Sequence, residues 1–405
     1  MSFALEKHWP ETFRHAKKHS PFYRELFRGW KTVPRLQDLP TTSKEILSRR
    51  NLDFLCVPRR RIAEIVTTSG TTGAPLSWML TENDVQRLAE NEKISFTCAG
   101  VTSHDTVLVA VALDRCFIAG LAYWQGLRAL GCTVVRVGAS SSQLVLEMIA
   151  RLQPTAIVAV PSFLRVIADK AHALKFDLKN SSIKKAICIG EPVRDSAFQL
   201  NPSGRAIAAA WEAQIFSTYG VTELANSLCE CRAGCGGHLH ENQLFLEILD
   251  DAGNALPDGE TGEVVATTFG VEAMPLIRYH TGDYAAMFSK KCRCGRDTPR
   301  LGPIIGRKNQ KLKFKGTSLF PSTFQVVLEE TPGVEQFAII ARAESELCDA
   351  IEIVVCGEVK TTTLREAIQA RAKIVPQIRR ASRAEIERWQ MPPDARKRRT
   401  FVDLR

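Results

Sequence analysis

Short apolar runs alternating with amphipathic stretches constrain this chain more than any other feature. The runs are IAEIVTTSG (62–70), TVLVAVAL (106–113), CTVVRVG (132–138), TAIVAV (155–160) and KKAICIG (184–190), with helix-like segments such as ENDVQRLAENEKISFTCAG and SQLVLEMIARL between them. A strand that is apolar on both faces must be covered on both, and helices in the connections supply that cover. The expected fold is therefore α/β with a mainly parallel sheet. Before these runs, residues 1 to about 60 read as helical and basic, with a break at Pro21 among the apolar positions Phe13, Phe22, Tyr23, Leu26 and Phe27.

From about 240 the texture changes. LFLEILDDAGNALPDGETGEVVATTF carries two strands around an Asp/Gly/Pro cluster, the pattern of a β-hairpin or β-rich subdomain. A last unit begins near Gly306, with strands at EQFAIIAR and AIEIVVCG and a helix at LREAIQARAKIV, a small α+β domain. A chain of 405 residues exceeds one unit of about 100 to 200, so we expect a large domain over 1–305, β-rich from about 229, and a small mobile domain over 306–405.

Composition excludes several classes. With 45% hydrophobic and 24% charged residues the chain is neither disordered nor fibrous. No apolar stretch nears the roughly 18 to 20 residues that cross a bilayer, and the N-terminal segment lacks a signal peptide's apolar run, so a cytoplasmic protein without a membrane partner is expected. Its twelve cysteines then read as thiols or metal ligands before disulfides. The net charge is +10, and residues 371–405 hold eleven Lys or Arg against four acids. A solvated basic face, or a site for phosphates and CoA, accounts for this better than nucleic acid, because no RNP, KH, zinc-finger or helix-turn-helix pattern accompanies it.

Thr67, Thr68, Ser69, Gly70, Thr71, Thr72, Gly73, Ala74 and Pro75 directly follow an apolar run. Two glycines let backbone amides turn inward as an anion nest, and the hydroxyls add donors for phosphate oxygens. No Gly-Lys-Ser/Thr closes the loop, so it is not that of a P-loop kinase. Further on, Cys229, Cys231, Cys235, His238 and His240 precede a second cluster at Cys292 and Cys294. Two short groups of soft ligands are what a closed, structural tetrahedral zinc site needs. Cys231, Cys235, His238, Cys292 and Cys294 are five candidates for four places, with Cys235 and His238 as the open alternatives. The remaining cysteines, Cys56, Cys98, Cys116, Cys132, Cys188, Cys348 and Cys356, read mostly as buried inert thiols.

TTSGTTGAPLSWMLT resembles the phosphate-binding signature of the adenylate-forming superfamily of acyl-CoA synthetases, luciferases and peptide-synthetase adenylation domains. IGEP (189–192), STYGVTE (217–223), IRYHTGD (277–283) and GRKNQKLKFKGTSLFP (306–321) follow in the superfamily's order. FRHAKKHSPFYRELF and LPTTSKEIL point to its phenylacetate-CoA ligase branch, and CRAGCGGH with CRCGR matches paired cysteine motifs of several ligase relatives.

The resemblance implies a two-step reaction in which a carboxylate attacks the α-phosphate of ATP, expelling pyrophosphate, and the CoA thiol then displaces AMP. It places Thr68 to Gly73 on the β and γ phosphates, Glu223 on Mg²⁺ and Thr222 on the α-phosphate. Tyr219, with Gly220, would stack on adenine, and the backbone of Gly190, Glu191 and Pro192 would edge the same base. Asp283 would accept the ribose hydroxyls, Arg307 would complete that end, and Lys397 would bridge the carboxylate and α-phosphate. Departures from the pattern are His280 in place of an arginine, Lys308, Asn309 and Gln310 where acidic residues usually stand, and Gln325 in place of a glutamate.

The acid's pocket has Phe117, Tyr123, Trp124 and Phe163 as candidates, each with core packing as its plainer role. The expectation is an AMP-forming acid–CoA ligase for a small aromatic acid, with a homodimer implied as an option. The alternatives are loading a carrier-protein phosphopantetheine, and a degenerate or nucleic-acid-binding protein.

Overall fold

Five parallel strands do form the centre of the molecule, but one of them is not a run singled out above. A computed structural model describes residues 3–68, 76–314, 317–345, 348–391 and 399–405. Its main sheet has six strands in the order Thr133–Arg136, Thr106–Ala110, Ala156–Ala159, Lys185–Ile189, Gln214–Val221 and Asn226–Cys229. All neighbours are parallel except the last pair. Strand alternation divides the side chains between two cores. Leu108, Ile157, Ala186 and Cys188 face Leu146, Leu164 and Trp211. Val107, Val109, Val158 and Ile187 face Phe96, Tyr123 and Leu127.

The first apolar run stands apart from this sheet. Ile62–Thr67 pairs antiparallel with Ser77–Thr81 in a separate two-stranded sheet. Its burial alternates and Ile65 is 53% exposed, so only one face is covered and the strand does not lie inside a sheet covered on both sides. Helix Glu82–Cys98 follows at once, started by a capping box between Thr81 and Asp84. It crosses helix Ile118–Leu130 at Gly126, where a Cβ would come within 2.4 Å of the Glu92 Cβ. The N-terminal segment is helical as expected. Its break falls at Ser20, which caps a second helix over Pro21–Leu26.

The β-rich part is a sheet ordered Leu244–Leu249, Thr261–Thr268, Tyr279–Phe288, Arg300–Leu301 and Gly237–His238. The first two are the hairpin read from sequence, in register from Leu244↔Thr268 to Leu249↔Glu263. Contacts divide the chain into two compact units, Met1–Thr281 with Ala285–Ile304, and Gly282–Tyr284 with Ile305–Arg405. The second unit is α+β. Its sheet is ordered Gln377–Arg380, Cys348–Cys356, Gln336–Ser345 and Phe401–Asp403, with helices Pro321–Glu330, Thr361–Ala372 and Arg383–Gln390. Three of the tail's eleven cations are paired within this unit as follows: Arg379 with Glu352 and Glu385, Arg383 with Glu335, and Arg405 with Asp349 and Asp403. Among the described residues no helix is long and apolar enough to cross a membrane.

Candidate active site

The motifs converge because strand register brings their carriers side by side. Ile189 pairs with Thr218, so Gly190–Pro192 leave their strand beside Tyr219–Val221, the last residues of the neighbouring parallel strand, at the sheet's carboxyl edge, where open α/β sheets bind ligands. Gly190 turns the chain there at φ +72. The Glu191 carboxylate accepts from Ser162 N (2.9 Å) and Ser162 Oγ (2.7 Å) at the start of helix Pro161–Ala173, which leaves its backbone for a ligand. The Pro192 carbonyl accepts from Asn201. Tyr219 is half-buried against the main apolar cluster, while Gly220 is exposed. At Thr222 the chain makes one turn of 3₁₀-helix, closed by Ala225 N donating to Thr222 O at 3.1 Å, and this turn carries Glu223 inward to 3% exposure.

The base of the phosphate loop is described, its centre is not. Thr68 N donates to Leu76 O (3.0 Å) and Leu76 N returns to Thr68 Oγ1 (3.1 Å), so the loop leaves and re-enters at one point. Thr67 N is tied to Cys116 O, in the segment after strand Thr106–Ala110. Val66, Leu76 and Leu224 belong to one buried cluster, on which Tyr219 and Val221 also pack. The loop base and the Glu223 turn therefore share a foundation. Ser69, Gly70, Thr71, Thr72 and Gly73 lie outside the described residues, as does Lys397.

Glu223 is not alone in its recess. Its Oε1 is 3.3 Å from Lys44 Nζ and 3.4 Å from the Tyr279 hydroxyl. A buried carboxylate already holding a cation is a fitting donor for a hard divalent ion. His280, at the expected arginine position, turns Nδ1 to 3.0 Å from Glu263 Oε2. In the C-terminal unit, Asp283 pairs in register with Arg307, whose Nε lies 3.2 Å from Asp283 Oδ1. Asp283 is 4% exposed, yet the Arg307 side chain is more than half exposed and can move. The segment Lys308–Gln310 forms a 3₁₀ turn whose Asn309 carbonyl accepts from Arg405, and Gln325 donates to Thr400.

Sequence reasoning singles out neither Lys44, which stands within LPTTSKEIL and meets Glu223, nor a second buried acid away from this turn, Glu92. Glu92 accepts from Ser227 Oγ at 2.8 Å between helix Glu82–Cys98 and strand Asn226–Cys229, and burial pushes its carboxyl up to about 8.

The cysteine cluster assembles. Cys231, His238, Cys292 and Cys294 place their ligand atoms within 4.8 Å of one another. Cys231 and Cys292 sulfurs are 3.6 Å apart, and Cys294 Sγ is 3.4 Å from His238 Nε2. Zinc bonds of about 2.3 Å to sulfur and 2.0 Å to nitrogen give tetrahedral edges of roughly 3.5 to 3.8 Å, and these two separations match such edges. Thr298 Oγ1 lies 2.9 Å from His238 Nδ1 and orients the ring. Cys235 stands beside the four, 3.9 Å from Cys292. Cys229 is hydrogen-bonded to Thr218 and His240 to Asn91 instead. Of the remaining cysteines, Cys56, Cys98, Cys132 and Cys188 are buried, whereas Cys116 is exposed on a strained turn at φ 54.

Among the acyl-pocket candidates, Tyr123 is core, edge-on to Phe96 at 5.6 Å. Phe163 is partly buried against a core cluster, and the guanidiniums of Arg128 and Arg136 each lie 5.2 Å from the Trp124 ring. Phe117 is half-buried and caps helix Ile118–Leu130.

The chain is similar to known proteins in sequence and in fold. The family model described as AMP-binding enzyme matches residues 31–272. The chain is 30% identical to phenylacetate-coenzyme A ligase of Thermus thermophilus over 82% of its own length and 76% of the relative's. It is 29% identical to the Escherichia coli enzyme of that name, over 78% and 72%. A crystal structure of 2-hydroxyisobutyryl-CoA ligase in the postadenylation state superposes with a TM-score of 0.85 at 20% identity, covering 99% of this chain and 89% of that one, a likeness of fold.

Proposed function

Because the chain belongs to the AMP-binding enzyme family, we propose that it is an AMP-forming acid–CoA ligase that activates a small aromatic acid, on the pattern of phenylacetate. The observation that carries this reading is Glu223: a carboxylate buried on the turn that follows Tyr219, beside Gly190, with a cation already against it.

The chemistry asks for what these residues offer. Attack of a carboxylate on a phosphate joins two anions, so charge must be neutralised and the reactants held in line. Glu223 would hold Mg²⁺, which supplies that neutralisation, and Thr222 would donate to the α-phosphate. The loop from Thr68 to Gly73 would hold the β and γ phosphates. Tyr219 and the backbone at 190–192 would hold adenine. Asp283 would take the ribose hydroxyls once Arg307 swings aside, and Lys397 would bridge the two reacting anions. The C-terminal unit, from about 305, would then turn to admit the CoA thiol. Cys231, His238, Cys292 and Cys294 would hold a structural zinc that fixes the turn around Cys292 to the end of strand Asn226–Cys229. All four positions are filled by protein, so the ion would have no catalytic opening.

ATP–pyrophosphate exchange with a panel of aryl and arylacetic acids tests the first step. Offering the adenylate to CoA and to a holo carrier protein then identifies the acceptor. Exchange with no acid of a broad panel would overturn the assignment.

A further inference from the structure

Lys44 is delivered to Glu223 by a strap sewn down with unusual density. Arg278 Nη1 donates to the carbonyls of Gln37 (3.0 Å) and Leu39 (2.5 Å), while its Nε and Nη2 are anchored on Glu247. Thr42 N donates to Arg278 O (2.9 Å), His280 N donates back to Thr42 O (2.8 Å), and Thr42 Oγ1 donates to Ile277 O (3.1 Å). Ser43 then caps the helix Lys44–Arg49, of which Lys44 is the first residue. The backbone of Lys44 is thus fixed beside the turn that bears Glu223, and its ammonium rests 3.3 Å from the carboxylate.

The pair is asymmetric. The Glu223 side chain is 3% exposed and that of Lys44 40%. The carboxylate cannot leave its recess, but the ammonium sits on a flexible four-carbon stem open to water and can withdraw. An ionised carboxylate buried without a counter-ion costs several kcal/mol, so the recess calls for a cation before any metal arrives. We propose that Lys44 is that cation: a positioning residue whose ammonium occupies the divalent-ion position on Glu223 in the nucleotide-free protein and yields it when the metal enters. Two cations on one carboxylate oxygen repel each other strongly in a low-dielectric recess, so the occupants are mutually exclusive. Lys44 thereby holds Glu223 aimed, lowers its affinity for free metal, and favours entry of the metal together with the triphosphate. This inference rests on the reading of Glu223 as the metal carboxylate.

Manganese(II) titration of the nucleotide-free full chain, followed by electron paramagnetic resonance, separates the two ideas. Lys44→Gln should bind manganese about fivefold more tightly than wild type, the scale of losing a partly exposed ion pair. Lys44→Arg, which keeps the charge, should restore wild-type affinity, and Glu223→Gln should bind no manganese in either background. Circular dichroism confirms that each variant is folded. If Lys44→Gln leaves affinity unchanged or weakens it while Glu223→Gln abolishes binding, the placeholder role is wrong and the metal carboxylate stands. If Glu223→Gln binds as wild type does, the metal assignment itself fails and takes this inference with it.

Discussion

Glu223 and Glu92 are equally buried, at 3% exposure, yet their surroundings suit them to opposite tasks. Glu223 sits on a single turn at the edge of the parallel sheet and faces an ammonium that can leave. Glu92 sits where two helices cross at Gly126 and accepts from the Ser227 hydroxyl. Burial raises its carboxyl to about 8, so at neutral pH it is a protonated packing group. Depth of burial does not make an acid functional. What separates Glu223 from Glu92 is the ammonium of Lys44 beside it, open to water and free to be replaced.

The contrast breaks most directly at Glu223. Glu223→Gln should lower ATP–pyrophosphate exchange about 10²- to 10³-fold, the scale of losing one organised electrostatic element, with little change in melting temperature. Exchange within tenfold of wild type would put the two acids in the same class.

A second check uses the thiols, the other buried ionisable groups with a metal's geometry. Metal analysis should find about one zinc per chain, and Cys292→Ser should lose it and cost several kcal/mol of stability. A metal-free preparation that is fully folded and active would remove the zinc.

Glu92→Gln tests the other side of the comparison. The folded protein keeps the Glu92 proton up to about pH 8, whereas the unfolded chain releases it near the ordinary carboxyl value of 4.5. Between those values the folded state binds more protons, so this group's contribution to stability is full below pH 4.5, falls by about 1.4 kcal/mol per pH unit on the way to 8, and is then level. Subtracting denaturation curves of Glu92→Gln from wild type should expose that slope, and parallel curves would show that Glu92 is ionised. The smallest effect is expected at Ser227→Ala. Loss of the 2.8 Å hydrogen bond should cost about 1 kcal/mol near pH 9 and less near pH 5, where the acid is neutral.

How far the sequence could be read follows from how local each property is. Beyond the opening Thr106 and Lys185, TVLVA, AIVA and KAICI are apolar, and that pattern survives as strands buried on both faces. The run at 62–70 is similar in composition, but its alternating burial leaves Ile65 exposed and one face uncovered, and it pairs elsewhere. STYGV was conspicuous as a motif and went unremarked as a strand, although it supplies the fifth parallel member. At the zinc cluster, spacing named five candidates, and the pairing of Arg300 with His238 brought the imidazole rather than Cys235 into the group of four.

Residue order alone settled the fold class, the family and the inventory of chemical groups, since periodicity and motif spacing are written into neighbouring positions. Folding settled the partners. That Lys44 meets Glu223, that Glu92 meets a hydroxyl, and that Arg307 covers Asp283 depend on strand register and on segments brought together from far along the chain. No short stretch encodes such a meeting, because it is fixed by the packing of everything that lies between.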